Sequence, residues 1–144
     1  MDLHPPAVPM SSAAAAALAR AARLAEPRLQ RELKTTAAMV AMYCRHHHAA
    51  GIAPGATLCS DCESLLGYAR MRLSLCPYGG AKPTCVNCPI HCYGRQPRER
   101  MREVMRHAGP RMLWRHPWLA LAHLVDGWRP APPKPPKPPG RAAL

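Results

Sequence analysis

Seven cysteines in one short stretch constrain this chain more than any other feature of its sequence. They are Cys44, Cys59, Cys62, Cys76, Cys85, Cys88 and Cys92. Two pairs, Cys59 with Cys62 and Cys85 with Cys88, have the C-x-x-C spacing that lets two thiolates from one tight turn bind a single metal ion. A redox role for either pair is disfavoured because no βαβ pattern accompanies it, and a chance cluster is a weaker explanation. The spacing therefore predicts metal coordination.

The composition favours the same interpretation. Only 5% of the 144 residues are aromatic and none is Phe, so metal ions are expected to support a thin core. No stretch approaches the roughly 20 apolar residues of a membrane span. The N-terminus lacks the basic segment of a secretory signal, and the odd cysteine count disfavours a disulfide framework. We therefore expect a cytoplasmic protein with one folded domain and no membrane association.

Composition divides the chain into three parts, of which only the middle one is expected to fold as a domain. Residues 1–26 form an Ala- and Pro-rich flexible arm, in which Ser11 or Ser12 caps a helix from Ala13 to Ala25. Residues 27–128 are the predicted helical metal-binding domain. Residues 129–144 combine prolines with lysines, which is typical of an extended, disordered tail.

Apolar residues in the middle part recur at helical intervals, and no segment has the period of two that is typical of strands. A long helix is predicted from Pro27 towards Gly51, with three consecutive histidines near its end. A second helix is predicted to begin at a capping box formed by Ser60 and Glu63 and to end at Cys76, before a proline.

Further helices are predicted after the cysteine-rich loop. The third covers residues 98–108 and is expected to end at Gly109-Pro110. A short helical piece around residues 112–114 and a last helix from Trp118 to about Asp126 complete the pattern. The predicted class is mainly α, a small helical domain with two cysteine-rich metal-binding loops.

The second helix is long enough to divide the cysteines between two sites. Cys62 and Cys76 are predicted near its two ends, which at 1.5 Å per residue separates them by roughly 21 Å. One ion with thiolate bonds of about 2.3 Å cannot span that distance. The first predicted site consists of Cys44, one of His47 and His48, Cys59 and Cys62, and the second of Cys76, Cys85, Cys88 and Cys92.

The ligand types indicate which metals these sites would hold. Three thiolates with one imidazole, or four thiolates, make closed tetrahedral sets typical of structural zinc, so two zinc ions are predicted. An iron–sulfur cluster is the alternative at Cys76, Cys85, Cys88 and Cys92, since clusters use similarly close cysteine spacings. Of the remaining histidines, His107, His116 and His123 are interpreted as packing or surface residues.

Arginines are concentrated between positions 95 and 115, and the chain carries a formal net charge of +12. On the predicted third helix Arg98, Arg102 and Arg106 face outward. Three interpretations remain open: a nucleic-acid-binding surface, a solvated helix face, or guanidinium groups that offset the negative charge of a metal–thiolate site. The stretch has no Tyr or Phe for base stacking, which weakens the first.

Several short motifs are distinctive beyond the cysteine spacing. They are Met42-Tyr43-Cys44 with His47-His48, Lys82-Pro83-Thr84-Cys85, Cys88-Pro89-Ile90-His91-Cys92-Tyr93 and Gly109-Pro110-Arg111-Met112. Together they resemble the nitrous-oxide-stimulated promoter family of small bacterial proteins, over about residues 28–126. The chain departs from the family pattern at Gly79-Gly80, where Gly-Glu is expected.

The resemblance implies a bacterial cytoplasmic protein made under nitrosative or denitrifying conditions, without a demonstrated activity. Because the predicted metal sites are closed and no catalytic motif is present, we expect a non-enzymatic metal-binding protein with an as yet unknown protein partner. One alternative is a nucleic-acid-binding zinc module that uses the arginine-rich segment of residues 95–115. The other is an iron–sulfur redox or nitric-oxide-sensing protein.

Overall fold

The computed structural model of the protein describes residues 10–134, and in this part of the chain all regular secondary structure is helical. The predicted mainly α class is therefore confirmed. The predictions for residues 1–9 of the arm and 135–144 of the tail lie outside the described residues. The five helices are α1 (Ser12–Leu24), α2 (Pro27–His47), α3 (Ser60–Ser74), α4 (Arg95–Arg115) and α5 (Pro117–Gly127), with short 3-10 turns at Ala49–Gly51 and Gly79–Ala81.

Helix α2 lies at the centre of the fold, because α1, α3, α4 and α5 all pack against it. Its buried face includes Leu29 and Val40, both completely inaccessible to solvent. The core around them is built mainly from aliphatic, methionine and cysteine side chains rather than aromatic rings, as the composition predicted. Its other buried members include Met39, Met42, Cys44, Cys62, Leu65, Met101, Val104, Ala108 and Met112.

Helix α1 begins as predicted, with the Ser11 hydroxyl accepting a hydrogen bond from the backbone N–H of Ala14. None of residues 12–24 is buried. The helix is nevertheless held at its C-terminal end, where the Arg23 guanidinium donates to the carbonyl of Cys76 at 2.9 Å. The boundary between an arm and a domain near residue 26 remains a prediction.

The predicted ends of α3 are wrong by one or two residues. Cys59, rather than Ser60, occupies the N-cap position with an extended backbone, and its carbonyl accepts from the N–H of Glu63. The reason is tertiary: the N–H of Cys59 donates to the Cys44 sulfur at 3.2 Å, which holds Cys59 outside the helix. The helix ends at Ser74, so Cys76 lies just beyond it.

The predicted end of the third helix at Gly109-Pro110 is also wrong, since α4 continues through Pro110 to Arg115. An interior proline costs about 3 kcal/mol, because it lacks the N–H donor and crowds the preceding turn. Met112, one turn after Ala108, is only 3% exposed. Burial of Met112 against the core favours continuation of α4 beyond Pro110. The helical piece predicted separately at residues 112–114 therefore belongs to the last turn of α4.

Helix α5 starts with Pro117 at its first turn and closely matches the predicted segment. Its buried residues are Ala120 and Asp126, while Trp118 and Trp128 are each 80% exposed. No helix among residues 10–134 combines the length and apolarity needed to cross a membrane.

A network of buried charges joins α2 to α5 and to the cysteine-rich loop. Asp126 of α5 lies 3.5 Å from Arg28 and 3.3 Å from Arg31 of α2. Glu32, also on α2, pairs with Arg28 at 2.8 Å and with Lys82 of the loop at 3.3 Å. Since unpaired charges are costly to bury, these contacts fix where the loop sits on α2.

The open position of Gly67 in α3 predicts that Gly67→Ala stabilises the protein. A Cβ there would meet nothing within 4 Å, and alanine gains about 0.5–1 kcal/mol over glycine inside a helix. Gly109→Ala in α4 should gain less, because residue 109 precedes Pro110 and a Cβ there crowds the proline ring in a helical backbone. Urea denaturation measures both changes; equal gains would contradict a helical backbone at residue 109.

Candidate metal centres

Four side chains that could hold a metal ion converge where α2 meets α3. Cys44 lies in the last turn of α2, His48 caps that helix, Cys59 caps α3 and Cys62 lies in the first turn of α3. Their ligand atoms all lie within 4.8 Å of one another. The three cysteines are buried and His48 is half-buried. These four residues are called the cysteine-histidine centre below.

The distances within the cysteine-histidine centre match a tetrahedral ion. His48 Nδ1 lies 3.3 Å from Cys62 Sγ and 3.5 Å from Cys59 Sγ. Zinc bonds of about 2.3 Å to sulfur and 2.1 Å to nitrogen would place such neighbouring ligand atoms roughly 3.6 Å apart. The ligands therefore need little movement to enclose one ion.

The thiols of the cysteine-histidine centre differ in how readily they lose a proton. The backbone N–H of Cys62 donates to the Cys59 sulfur, which together with nearby side-chain donors lowers the pKa of Cys59 to about 7. Burial and the neighbouring thiols raise the pKa of Cys62 to about 12. Cys59 therefore forms a thiolate near neutral pH. The charge of a bound cation would favour the thiolate of Cys62 as well.

His47, which the sequence left open as a ligand beside His48, belongs to a different cluster. His46 and His47 from α2 meet His107 from α4, and their ligand nitrogens also lie within 4.8 Å of one another. This second group, called the three-histidine cluster below, is largely exposed. Desolvation, followed by the nearby Arg111 and the other two histidines, lowers the pKa of His107 and favours its neutral, metal-binding form.

The other four cysteines line a single cavity of about 110 Å³ beside the C-terminal end of α3. Within residues 10–134, their sulfurs do not converge as closely as the ligand atoms of the cysteine-histidine centre. No member of the first predicted set of cysteines lines this cavity. The four that do are Cys76, Cys85, Cys88 and Cys92.

The same cavity, called the four-cysteine cavity below, contains several buried polar groups. Lys82 Nζ lies 3.7 Å from Cys85 Sγ, and Glu32 Oε1 lies 3.8 Å from that sulfur. Arg72 Nε and the Tyr78 hydroxyl also lie at this cavity, buried without a hydrogen-bond partner among the described residues. Buried donors of this kind favour an anionic occupant.

Comparison with known proteins assigns the chain to a family. A profile of the family described as "Nitrous oxide-stimulated promoter" matches residues 27–136. The chain belongs to this family. It is 44% identical over 105 residues to "Uncharacterized protein YgbA" of Escherichia coli (strain K12), covering 73% of this chain and 86% of that relative. No solved structure matches. The resemblance inferred from the motifs is thereby confirmed.

The departure from the family pattern at Gly79-Gly80 has a structural counterpart. The carboxylate of Glu26 lies against these two glycines, with Oε2 only 2.7 Å from where a Cβ of residue 80 would be. A larger side chain at position 80 would therefore have to displace Glu26. In this chain, Glu26 supplies a carboxylate beside position 80, where the family resemblance led us to expect Glu.

The arginines of α4 do not line the four-cysteine cavity. Arg102 and Arg106 are exposed and Arg98 is half-buried, while Arg100 donates to the carbonyl of Asp61 at the start of α3. A nucleic-acid interface at Arg98, Arg102 and Arg106 therefore remains a prediction.

Two features of the sites were missed by sequence reasoning. Glu32, which is buried, was not connected with the cysteine loop. The available signal was that it is the one acidic residue between positions 27 and 47. His107 was interpreted as a packing or surface residue, and its closeness to His47 depends on how α4 lies against α2. A single sequence contains no signal for that second contact.

Glu32→Gln is expected to destabilise the protein by about 3 kcal/mol, because it leaves Lys82 buried without a carboxylate and removes the closer of the two carboxylates that pair with Arg28. Burial alone would raise the pKa of Glu32, but the two cations hold it below its ordinary value. Its contribution is therefore present above the ordinary pKa of a glutamate and is lost as pH falls through the lowered folded pKa. Urea denaturation across acidic pH should give a shallower pH dependence for the variant.

Glu99→Gln provides the matched control, since Glu99 pairs with Arg95 on the exposed surface of α4. An exposed pair contributes roughly 0–1 kcal/mol, so this variant should resemble the wild type. Equal losses for the two variants would refute the special role of the buried pair.

Proposed function

We propose that the protein is a non-enzymatic component of the bacterial response to nitrogen oxides, in which zinc bound at the cysteine-histidine centre holds the fold together. The observation that carries this proposal is the convergence of four suitable ligand atoms within 4.8 Å. Four protein ligands complete a tetrahedral zinc site and leave no position for a substrate. This argues for a structural rather than a catalytic ion.

The choice of zinc rests on the donor set. Three thiolates with one imidazole are common in structural zinc sites, whereas calcium and magnesium require oxygen ligands. Binding would also supply folding free energy, because the four ligands are brought together only in the folded chain. That contribution matters in a protein with few aromatic residues to build its core.

The cellular setting rests on the family and on the cysteine chemistry. The family is described as a nitrous oxide-stimulated promoter family, which supports production of the protein when nitrogen oxides are present. All seven cysteines are free, which is consistent with a reducing cytoplasm. The relative from Escherichia coli is uncharacterised, so it supplies no activity to transfer.

His48→Ala should weaken metal binding at the cysteine-histidine centre, whereas His47→Ala should leave it intact. Loss of a residue that only orients a metal ligand costs roughly 10- to 100-fold in affinity, and loss of a direct ligand should cost more. Competition between the protein and a chromophoric zinc chelator measures the change. Co²⁺ substitution provides a second reading, because its absorption reports thiolate ligation directly.

The two histidines are adjacent in sequence, so the variants differ little in charge or helix propensity. Removal of zinc from the wild type should lower both helicity by circular dichroism and the thermal midpoint. The proposal is refuted if zinc-free protein keeps its stability, or if His47→Ala and His48→Ala weaken equally the Co²⁺ binding that shows thiolate absorption.

We also propose that the four-cysteine cavity holds a second metal centre, ligated by Cys76, Cys85, Cys88 and Cys92. Four thiolates around a divalent ion carry a net charge near −2, which nearby cationic side chains can offset. Lys82, whose ammonium lies 3.7 Å from Cys85, and the unpartnered Nε of Arg72 support such an occupant. Zinc is the expected metal, and an iron–sulfur cluster on the same four cysteines is the alternative.

Anaerobic purification followed by metal and sulfide counts tests the second centre. After dialysis against a weak chelator, two zinc ions per chain without sulfide would support the zinc form. Iron with matching sulfide, in a brown protein, would support the cluster. In both cases Cys88→Ser should remove only the second centre, whereas Ser64→Ala on the exposed face of α3 should remove neither. Retention of one ion or none would refute the second centre.

A further inference from the structure

Three imidazole rings meet on the surface where α4 lies against the C-terminal end of α2. In this three-histidine cluster, His47 Nε2 lies 3.1 Å from His107 Nδ1. The ring centroid of His46 lies 4.9 Å from that of His47 and 4.7 Å from that of His107. One ligand nitrogen from each ring lies within 4.8 Å of the other two, which is close enough to enclose one ion.

The arrangement is not explained by packing of a hydrophobic core. His46 and His47 are exposed and His107 is half-buried, so water reaches the cluster. The rings are held from one side by Tyr43, whose centroid lies 4.6 Å from that of His47 and 5.8 Å from that of His107. These contacts restrict how the rings of His47 and His107 can turn.

We propose that His46, His47 and His107 bind one divalent transition-metal ion of the zinc class, with a fourth position open to water or a small anion. Imidazole nitrogen suits Zn²⁺, Co²⁺, Ni²⁺ and Cu²⁺, whereas magnesium and calcium require oxygen ligands. Three histidines with one free position are also the ligand set of an accessible zinc ion rather than of a closed structural one.

This site is separate from the cysteine-histidine centre although their ligands are adjacent in sequence. His47 turns towards α4 and His48 towards α3, with Tyr43 between them at 4.6 Å and 5.4 Å from the two rings. The cysteine-histidine centre has three buried cysteines, whereas the three-histidine cluster has two exposed histidines and one half-buried histidine. An ion in the three-histidine cluster should therefore exchange readily with solution, and it would join α2 to α4.

The test uses the full-length chain, first loaded with zinc at its cysteine sites and then titrated with Co²⁺. We expect one further Co²⁺ to bind, with the visible absorption of nitrogen and oxygen ligation and without the thiolate charge-transfer band of cobalt on cysteine. His107→Ala should weaken this binding at least roughly tenfold, a loss of about 1.4 kcal/mol. The thermal midpoint should rise with Co²⁺ for the wild type but much less for the variant.

His116→Ala is the matched control, because His116 lies at the start of α5 and outside the cluster. It should bind Co²⁺ as the wild type does. Should His107→Ala fold poorly by circular dichroism, the exposed His46→Ala replaces it and should show the same loss. The proposal would be overturned if the zinc-loaded protein bound no Co²⁺, or bound it only with thiolate absorption. Equal Co²⁺ binding by the cluster variant and the control would also overturn it.

A failure here is distinguishable from failure of the cysteine-histidine centre. The thiolate charge-transfer band reports any cobalt at the cysteines, while the three-histidine cluster contributes only the weaker absorption of nitrogen ligation. Loss of cobalt binding at either site therefore removes one of these two absorption signals and leaves the other.

Discussion

The approach of Cys59 and Cys62 to Cys44 is the constraint on which the rest of the architecture depends. The N–H of Cys59 donates to the sulfur of Cys44, so the start of α3 is held against the end of α2. All three cysteines are buried, so this contact between α2 and α3 lies inside the core. Because α3 starts at this contact and Cys76 follows its other end, the length of α3 separates Cys76 from the first three cysteines.

Helix α2 carries different chemistry at its two ends. Its C-terminal end provides Cys44 to the buried cysteine-histidine centre and two histidines to the accessible three-histidine cluster. Its N-terminal half provides Arg28 and Glu32 to a buried charge network. Each group joins α2 to another segment of the chain, which compensates for the small aromatic content of the core.

Most errors in the predicted helices have the same physical origin. Glycine followed by proline ordinarily ends a helix, yet α4 continues because the burial of Met112 and the packing of α5 against α4 together offset the cost of Pro110. Ser60 and Glu63 have the spacing of a capping box, yet Cys59 takes the cap position because its N–H is engaged with Cys44. Local preferences are small, so a few tertiary contacts outweigh them.

The sequence by itself determined the helical class and the family and predicted the grouping of the cysteines, because periodicity and spacing are local properties of the chain. It also narrowed the histidine ligand of the first predicted site to His47 and His48, since residues three and four after Cys44 lie on the same helix face as Cys44. Only the tertiary structure separated His48 from His47 and brought His107 to the latter. Those outcomes depend on how distant helices lie against one another, which local spacing does not encode.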